Sequence, residues 1–186
     1  MVLIRHGQTA WSVDGRHTGR TDIPLTDAGR KQAATLYPAL SHWQFQLVLT
    51  SPLQRAVETC QLAGYGDQAQ VRPDLAEWDY GSYDGLTSEQ ILATRPDWSL
   101  WRDGGPGGEQ AAQVGRRVDR VIAEIRQTGG NALLFAHGHV LRVLAARWLD
   151  QPPQAGRYYA LETAALSVLG SEHRDPVIRR WNQPPS

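Results

Sequence analysis

The chain has 186 residues, a length that suits one domain and lets about 70% of the unfolded surface be buried without disulfide or metal staples. A composition of 41% apolar and 20% charged residues excludes global disorder. The 19 Lys and Arg balance the 19 Asp and Glu, which excludes a large basic field and, with it, nucleic acid as the main partner.

Taken in chain order, Val2–Ile4 predicts a short strand at the start of the sequence. Thr26 can cap a helix running from Asp27 to about Leu40, which Pro38 must kink or end. Gln46–Thr50 reads as a buried strand, and Ser51-Pro52 as the N-cap and first position of a helix that Gly64 stops. Thr87-Ser88-Glu89-Gln90 is a capping box. Gly104–Gly108 is a loop too short to link domains. From Glu109 to Gln127, Val114, Val118, Val121, Ile122 and Ile125 make one helical stripe, ended by Gly129-Gly130. Ala132–Ala136 is a strand, His139 to Leu149 a helix, Leu166–Leu169 and Val177–Trp181 are late strands, and Gln183–Ser186 is expected to fray. Alternating strands and helices predict an α/β sandwich around a mostly parallel sheet, with ligands beyond the carboxyl ends of its strands. Cys60 is the single cysteine, and no leader-like segment or apolar run of about 20 residues is visible, so the expected location is cytoplasmic and off the membrane.

Three of these predicted strands end in similar chemistry: Arg5-His6-Gly7, Ser51-Pro52 leading to Arg55, and His137-Gly138-His139. If the strands are parallel neighbours, two histidines and two arginines meet at one sheet edge. Arginine supplies 18 of the 19 cations, Lys31 being the exception, and its planar fork matches phosphoryl oxygens. A helix starting near Pro52 would add a positive dipole end. A neutral imidazole can attack phosphorus and carry the group covalently. The pair His137-x-His139 could also start a zinc site, but no third and fourth ligand lies nearby in sequence, so neither a metal nor a cofactor is expected.

Leu3-Ile4-Arg5-His6-Gly7-Gln8-Thr9, Thr18-Gly19-Arg20-Thr21 through Thr26, Thr50-Ser51-Pro52 through Arg55 to Thr59, Glu77-Trp78-Asp79-Tyr80-Gly81 and Ala136-His137-Gly138-His139 occur in family order. In these motifs the chain resembles the histidine phosphatase superfamily, the phosphoglycerate-mutase-like proteins. The resemblance implies a three-layer α/β/α sandwich in a single domain over residues 1–186. It implies His6 as the nucleophile, Arg5, Arg55 and His137 as the clamp on the phosphoryl oxygens, and Glu77 as the acid and then the base. Tyr80 matches a substrate-contacting position, and Ser12, Thr18 and the backbone of Gly19 and Gly138 are further candidate contacts. Asp22 reads as a turn residue, and His17, His42 and His173 read as surface residues. Trp11, Trp78, Trp98 and Trp101 lie in segments that could wall the site, and the role of His139 stays open.

Both hydrolases and mutases share this set of residues. Only about two dozen residues separate Leu86 from Gly108-Glu109, with no adjacent basic pair, and Ser12 stands where the mutases tend to have Asn. Both departures resemble phosphatases. Trp101-Arg102-Asp103-Gly104 and Pro106-Gly107-Gly108-Glu109 resemble a compact clade that includes sedoheptulose-bisphosphatase-like enzymes, implying a small phosphorylated sugar or similar monoester. A mutase-type phosphotransfer and a catalytically silent phosphate-binding module remain alternatives. The sequence leaves open the oligomeric state and whether Trp98–Glu109 closes over substrate.

Overall fold

A computed structural model describes residues 1–184. Its strands are β1 (Val2–Arg5), β2 (Leu47–Thr50), β3 (Ala69–Val71), β4 (Ala132–Ala136), β5 (Leu166–Glu172) and β6 (Asp175–Gln183). They form one sheet in the order β3-β2-β4-β1-β5-β6. The first four are parallel, β5 runs antiparallel to β1, and β6 runs antiparallel to β5. The helices are α1 (Ala10–Val13), α2 (Asp27–Ala34), α3 (Tyr37–Leu40), α4 (Gln54–Leu62), α5 (Ser88–Thr94), α6 (Leu100–Asp103), α7 (Ala111–Thr128) and α8 (Gly138–Trp148).

The period of two along each strand divides the core. Leu3, Leu49 and Leu134 face one side and meet Val114, Val118 and Leu141 of α7 and α8. Val2, Ile4, Val48, Leu133 and Phe135 face the other and meet Leu36, Leu40, Cys60 and Ala63. Helices thus cover both faces, which is the three-layer α/β/α arrangement. All five residues of β4 are buried, as an inner parallel strand requires. The α7 stripe is buried at all five predicted positions. The capping box at Thr87 forms, and Gly129 ends α7 with φ +70°.

Other boundaries differ from the sequence reading. The helix from Asp27 does not reach Leu40. It ends at Ala34, the residue whose carbonyl Pro38 cannot bond, and a separate turn carries Pro38 near its start. Ser51 does not cap α4, which begins at Gln54 with no side-chain cap. Gln183 is the last residue of β6 rather than part of a frayed tail. Residues 185 and 186 lie outside the described residues. The short elements α1, α6 and β3 fall below the length at which periodicity is visible.

The segment after α6 braces the site. Ser82 donates to Pro106 O (3.0 Å) and Glu109 to Asp79 O (2.8 Å). A Cβ on Gly105 would stand 1.9 Å from Tyr80 O, so only glycine lets these two backbones touch. Among the described residues no helix is long and apolar enough to cross a membrane.

Candidate active site

The register Arg5↔Ala136 and Thr50↔Phe135 brings Arg5-His6, Ser51 and His137 to one edge of the sheet. The His6 and His137 ring centroids are 5.1 Å apart. His6 Nδ1 lies 2.7 Å from Gly7 O. A carbonyl only accepts, so the ring proton sits on Nδ1, and the Nε2 lone pair, with no partner among the described residues, opens on the cleft. Gly7 is needed beside it, because a Cβ there would stand 2.4 Å from Gly29 O. Burial, with the Arg55 and Arg5 guanidinium groups close by, holds the His6 imidazole well below its ordinary range. The ring is therefore held neutral, with a lone pair that a nucleophile needs.

Arg55 reaches this edge from the first turn of α4 and is fully buried. Its Nε donates to His137 Nδ1 (3.1 Å), Nη1 to Thr21 O (3.0 Å), and Nη2 to Thr18 O (3.0 Å) and Gly19 O (2.9 Å). Four of five N–H donors are thereby engaged. His137 Nε2 lies 2.6 Å from Ser51 Oγ, so both His137 ring nitrogens are engaged as well. Burial and the Arg55 charge push His137 well below its usual range too. Neither Arg55 nor His137 lines the cleft, and both stand behind His6. Arg5 does line it. Its Nη1 donates to Leu161 O, and its Nε is buried without a partner. The start of α4 does not face the site as a free dipole end, because Asp22 Oδ1 accepts from Gln54 N (2.9 Å).

Glu77 closes the other side. Its Oε1 accepts from Trp78 N (2.8 Å) and Val140 N (2.9 Å), and Oε2 accepts from His139 N (3.0 Å). Two of these donors are first-turn amides of α8, which have no partner within the helix. Oε2 makes one bond, leaving a lone pair able to hold a proton.

The residues that hold this segment were not legible as functional. Arg117 of α7 donates to Glu109 Oε1 (2.9 Å) and Oε2 (3.0 Å), and to Asp74 O (2.7 Å) and Ala76 O (2.6 Å), just before Glu77. Glu109 in turn accepts from Asp79 N (3.0 Å) through Oε2 and from Trp78 Nε1 (2.9 Å) through its carbonyl. Arg117→Ala would leave a half-buried carboxylate held only by Asp79 N and two carbonyls without their donor, at an expected cost of about 1–3 kcal/mol in chemical denaturation. A loss below about 1 kcal/mol would show that water replaces the guanidinium.

The cleft encloses about 180 Å³. Besides Arg5, His6 and Glu77, its walls include the expected contacts Ser12, Thr18, Tyr80 and Gly138. Gly19 is not among them: its N–H donates to Asp84 Oδ1 (2.8 Å) and its carbonyl holds Arg55. His17 is no surface residue. It lines the cleft with its ring 4.9 Å from Tyr80. His42 and His173 are exposed. The tryptophans do not wall the cleft but stand behind it, with Trp78 fully buried and Trp101 5.4 Å from the His139 ring. Arg16, His139 and Arg142 also line it. The spacing of His139 and Arg142, three apart on one helix face, was the signal that could have found Arg142. Among the described residues no group of three or more His, Cys, Asp or Glu could hold a metal ion.

Comparison with known proteins agrees with this geometry. The sequence profile described as histidine phosphatase superfamily (branch 1) matches residues 1–184. An acid phosphatase of Mycobacterium tuberculosis is 42% identical over 93% of this chain and 87% of its own. Sedoheptulose 1,7-bisphosphatase of Saccharomyces cerevisiae is 37% identical over 79% of this chain and 66% of its own. The solved structure of an open-reading-frame product of Mycobacterium tuberculosis superposes with a TM-score of 0.94 at 39% identity, covering 100% of this chain and 97% of its own. The chain therefore belongs to branch 1 of the histidine phosphatase superfamily.

Proposed function

We propose that the chain hydrolyses small phosphomonoesters, sugar phosphates among them, through a phosphohistidine on Nε2 of His6. The chain is a phosphatase of the histidine phosphatase superfamily, a phosphoric monoester hydrolase. The observation that carries the mechanism is the His6 ring: its Nδ1 proton is fixed on Gly7 O while Nε2 faces a cleft lined by Arg5, whose Nη2 makes no bond among the described residues. The Nε2 lone pair attacks phosphorus as the ester P–O bond breaks. The departing oxygen takes the proton held by Glu77. Water then gives a proton to the Glu77 carboxylate, its oxygen attacks phosphorus, the P–N bond breaks and inorganic phosphate leaves. Arg5 donates directly to the phosphoryl oxygens, while Arg55, buried behind His6, contributes its charge, and His137 keeps Arg55 aligned. These cations supply the charge that a metal ion supplies in other phosphatases.

The names of the two relatives, an acid phosphatase and a sedoheptulose bisphosphatase, support hydrolysis of sugar phosphates over mutase chemistry. A single working domain over residues 1–186 is supported by one sheet and a family match to residue 184. A cytoplasmic place without nucleic-acid partners is supported by the single cysteine and the balanced charge.

Rapid acid or base quench of a turning-over reaction with radiolabelled sugar phosphate tests the intermediate. The expected product is label on the protein that survives base and is lost in acid, as a phosphoramidate is. Label that appears instead on an added acceptor sugar, with no free phosphate, would make the chain a mutase.

A further inference from the structure

The mechanism above makes no use of the His139 side chain. Its backbone N–H orients Glu77, but its ring lies separately on the cleft wall, packed by Trp101 (5.4 Å), Tyr80 (5.8 Å), His17 (6.1 Å) and Trp78 (6.4 Å) between ring centroids. One edge of the ring is fixed: Nδ1 lies 2.6 Å from Tyr80 Oη. Tyr80 is buried and has no other acceptor for its hydroxyl proton among the described residues. With that proton given to Nδ1, the histidine hydrogen sits on Nε2. Among the described residues Nε2 has no partner, and it is not sealed from solvent, so its N–H is directed into the cleft.

We infer that His139 is a specificity-determining residue, a neutral N–H donor that reads a hydroxyl of the leaving group, so that the preferred substrates are phosphorylated polyols and sugars. The inference rests on the phosphatase reading of the cleft.

Three features make the partner a hydroxyl. First, the ring is held neutral: burial, with Arg142 and His17 nearby and Arg5 behind them, keeps its imidazole well below the ordinary range. Tyr80 stays a phenol, because burial and the Glu77 carboxylate push it well above its usual value. A neutral donor has no charge to attract a second anion, whereas the guanidinium groups of Arg5, Arg16 and Arg142 on the same walls do. Second, the donor is rigid. Its ring is clamped by four aromatic neighbours and one hydrogen bond, so it cannot turn to suit other partners. Third, His139 follows directly on Gly138 and shares its backbone with the Glu77 contact, so its ring stands on the side where the leaving oxygen is protonated. A site built to bond a hydroxyl discriminates against the analogue lacking it.

The test compares glycerol 1-phosphate with propyl phosphate, which has the same carbon chain and no hydroxyl, in the wild type, His139→Leu and His139→Gln. The wild type is expected to prefer the hydroxylated ester by about tenfold or more in kcat/KM, through KM rather than kcat. His139→Leu should bring the ratio near one, while His139→Gln, which returns an N–H, should restore part of it. Equal hydrolysis of both esters by the wild type would overturn the inference and leave the phosphatase reading standing. An equal loss on both esters in His139→Leu would show a merely structural ring and overturn it as well. Failure of the wild type to hydrolyse either ester would remove the phosphatase reading itself, and the inference with it. Nitrogen-15 imidazole shifts of the wild type give a measurement independent of any variant: an Nε2–H tautomer is expected, and an Nδ1–H tautomer would overturn the assignment.

Discussion

Replacing His6 with Ala is expected to cut phosphate release by about 10⁴-fold or more, the effect of losing a nucleophile rather than a binding contact. The substitution leaves the backbone bond from His6 N to Ala136 O (2.9 Å) in place, so the variant should fold and still bind phosphate at Arg5. Steady-state release with a purified sugar phosphate, together with phosphate binding by calorimetry, separates the two effects. Activity within tenfold of wild type would remove His6 as the nucleophile. The acid side of the wild-type profile carries a second reading. A free imidazole is mostly protonated below pH about 6.5. His6 is held well below that by burial and by Arg55 and Arg5, so its neutral form persists as pH falls through 6.5. The free-enzyme kcat/KM should therefore not drop with the titration of an ordinary histidine. A fall centred near pH 6.5 would show that the arginines and burial do not govern this ring.

Glu77→Gln is expected to lower kcat by about 10²–10⁴-fold on alkyl esters, since the amide neither transfers a proton to the leaving oxygen nor takes one from water. The loss should depend on the leaving group. A nitrophenolate departs without a proton, so hydrolysis of p-nitrophenyl phosphate should suffer far less in the phosphorylation step than a sugar ester does. Equal losses on the two would deny Glu77 the acid role. The amide also meets a geometric conflict. Three backbone N–H groups converge on this carboxylate, and one would face the new NH2 group. A stability loss of about 1–3 kcal/mol should accompany the kinetic one, visible as a lowered denaturation midpoint. Holding the folded fraction constant keeps the two effects apart.

The Arg5-His6, Ser51 and His137 motifs were legible because each follows the end of a strand whose apolar run is also visible, whereas Glu77 follows a short turn and was legible only through the family resemblance. Ala132–Ala136 and Leu47–Thr50 are continuous buried runs, and the histidine or serine that follows each must emerge at the sheet edge. The stripe on α7 was legible from spacing alone. What was not legible is how the long side chains share their donors. Nothing in the order of residues shows that Arg55 gives most of its N–H groups to carbonyls of the Thr18–Thr21 segment, or that Arg117 anchors the backbone around Glu77 from 40 residues away. Those bonds depend on loops without periodicity, and their partners are backbone carbonyls, which every residue has. Ser51 shows the same limit. Its place before Pro52 reads as a helix cap, yet its hydroxyl serves His137 because the sheet brings that ring within 2.6 Å.

The position of β1 bears on how the protein comes into being on the ribosome. Residues 2–5 precede every other strand of the sheet in the chain, but they lie in its interior, hydrogen-bonded to 133–136 on one side and 166–168 on the other. This strand therefore waits, with Val2, Leu3 and Ile4 uncovered, until β4 and β5 have been synthesised. Its pairings are about as distant in sequence as this length allows, which slows folding and prolongs the interval in which an apolar strand can pair wrongly. Arg5 and His6 ride on that same strand and meet His137 only when it docks, so a nascent or truncated chain lacking β4 has no cleft in which to bind phosphate.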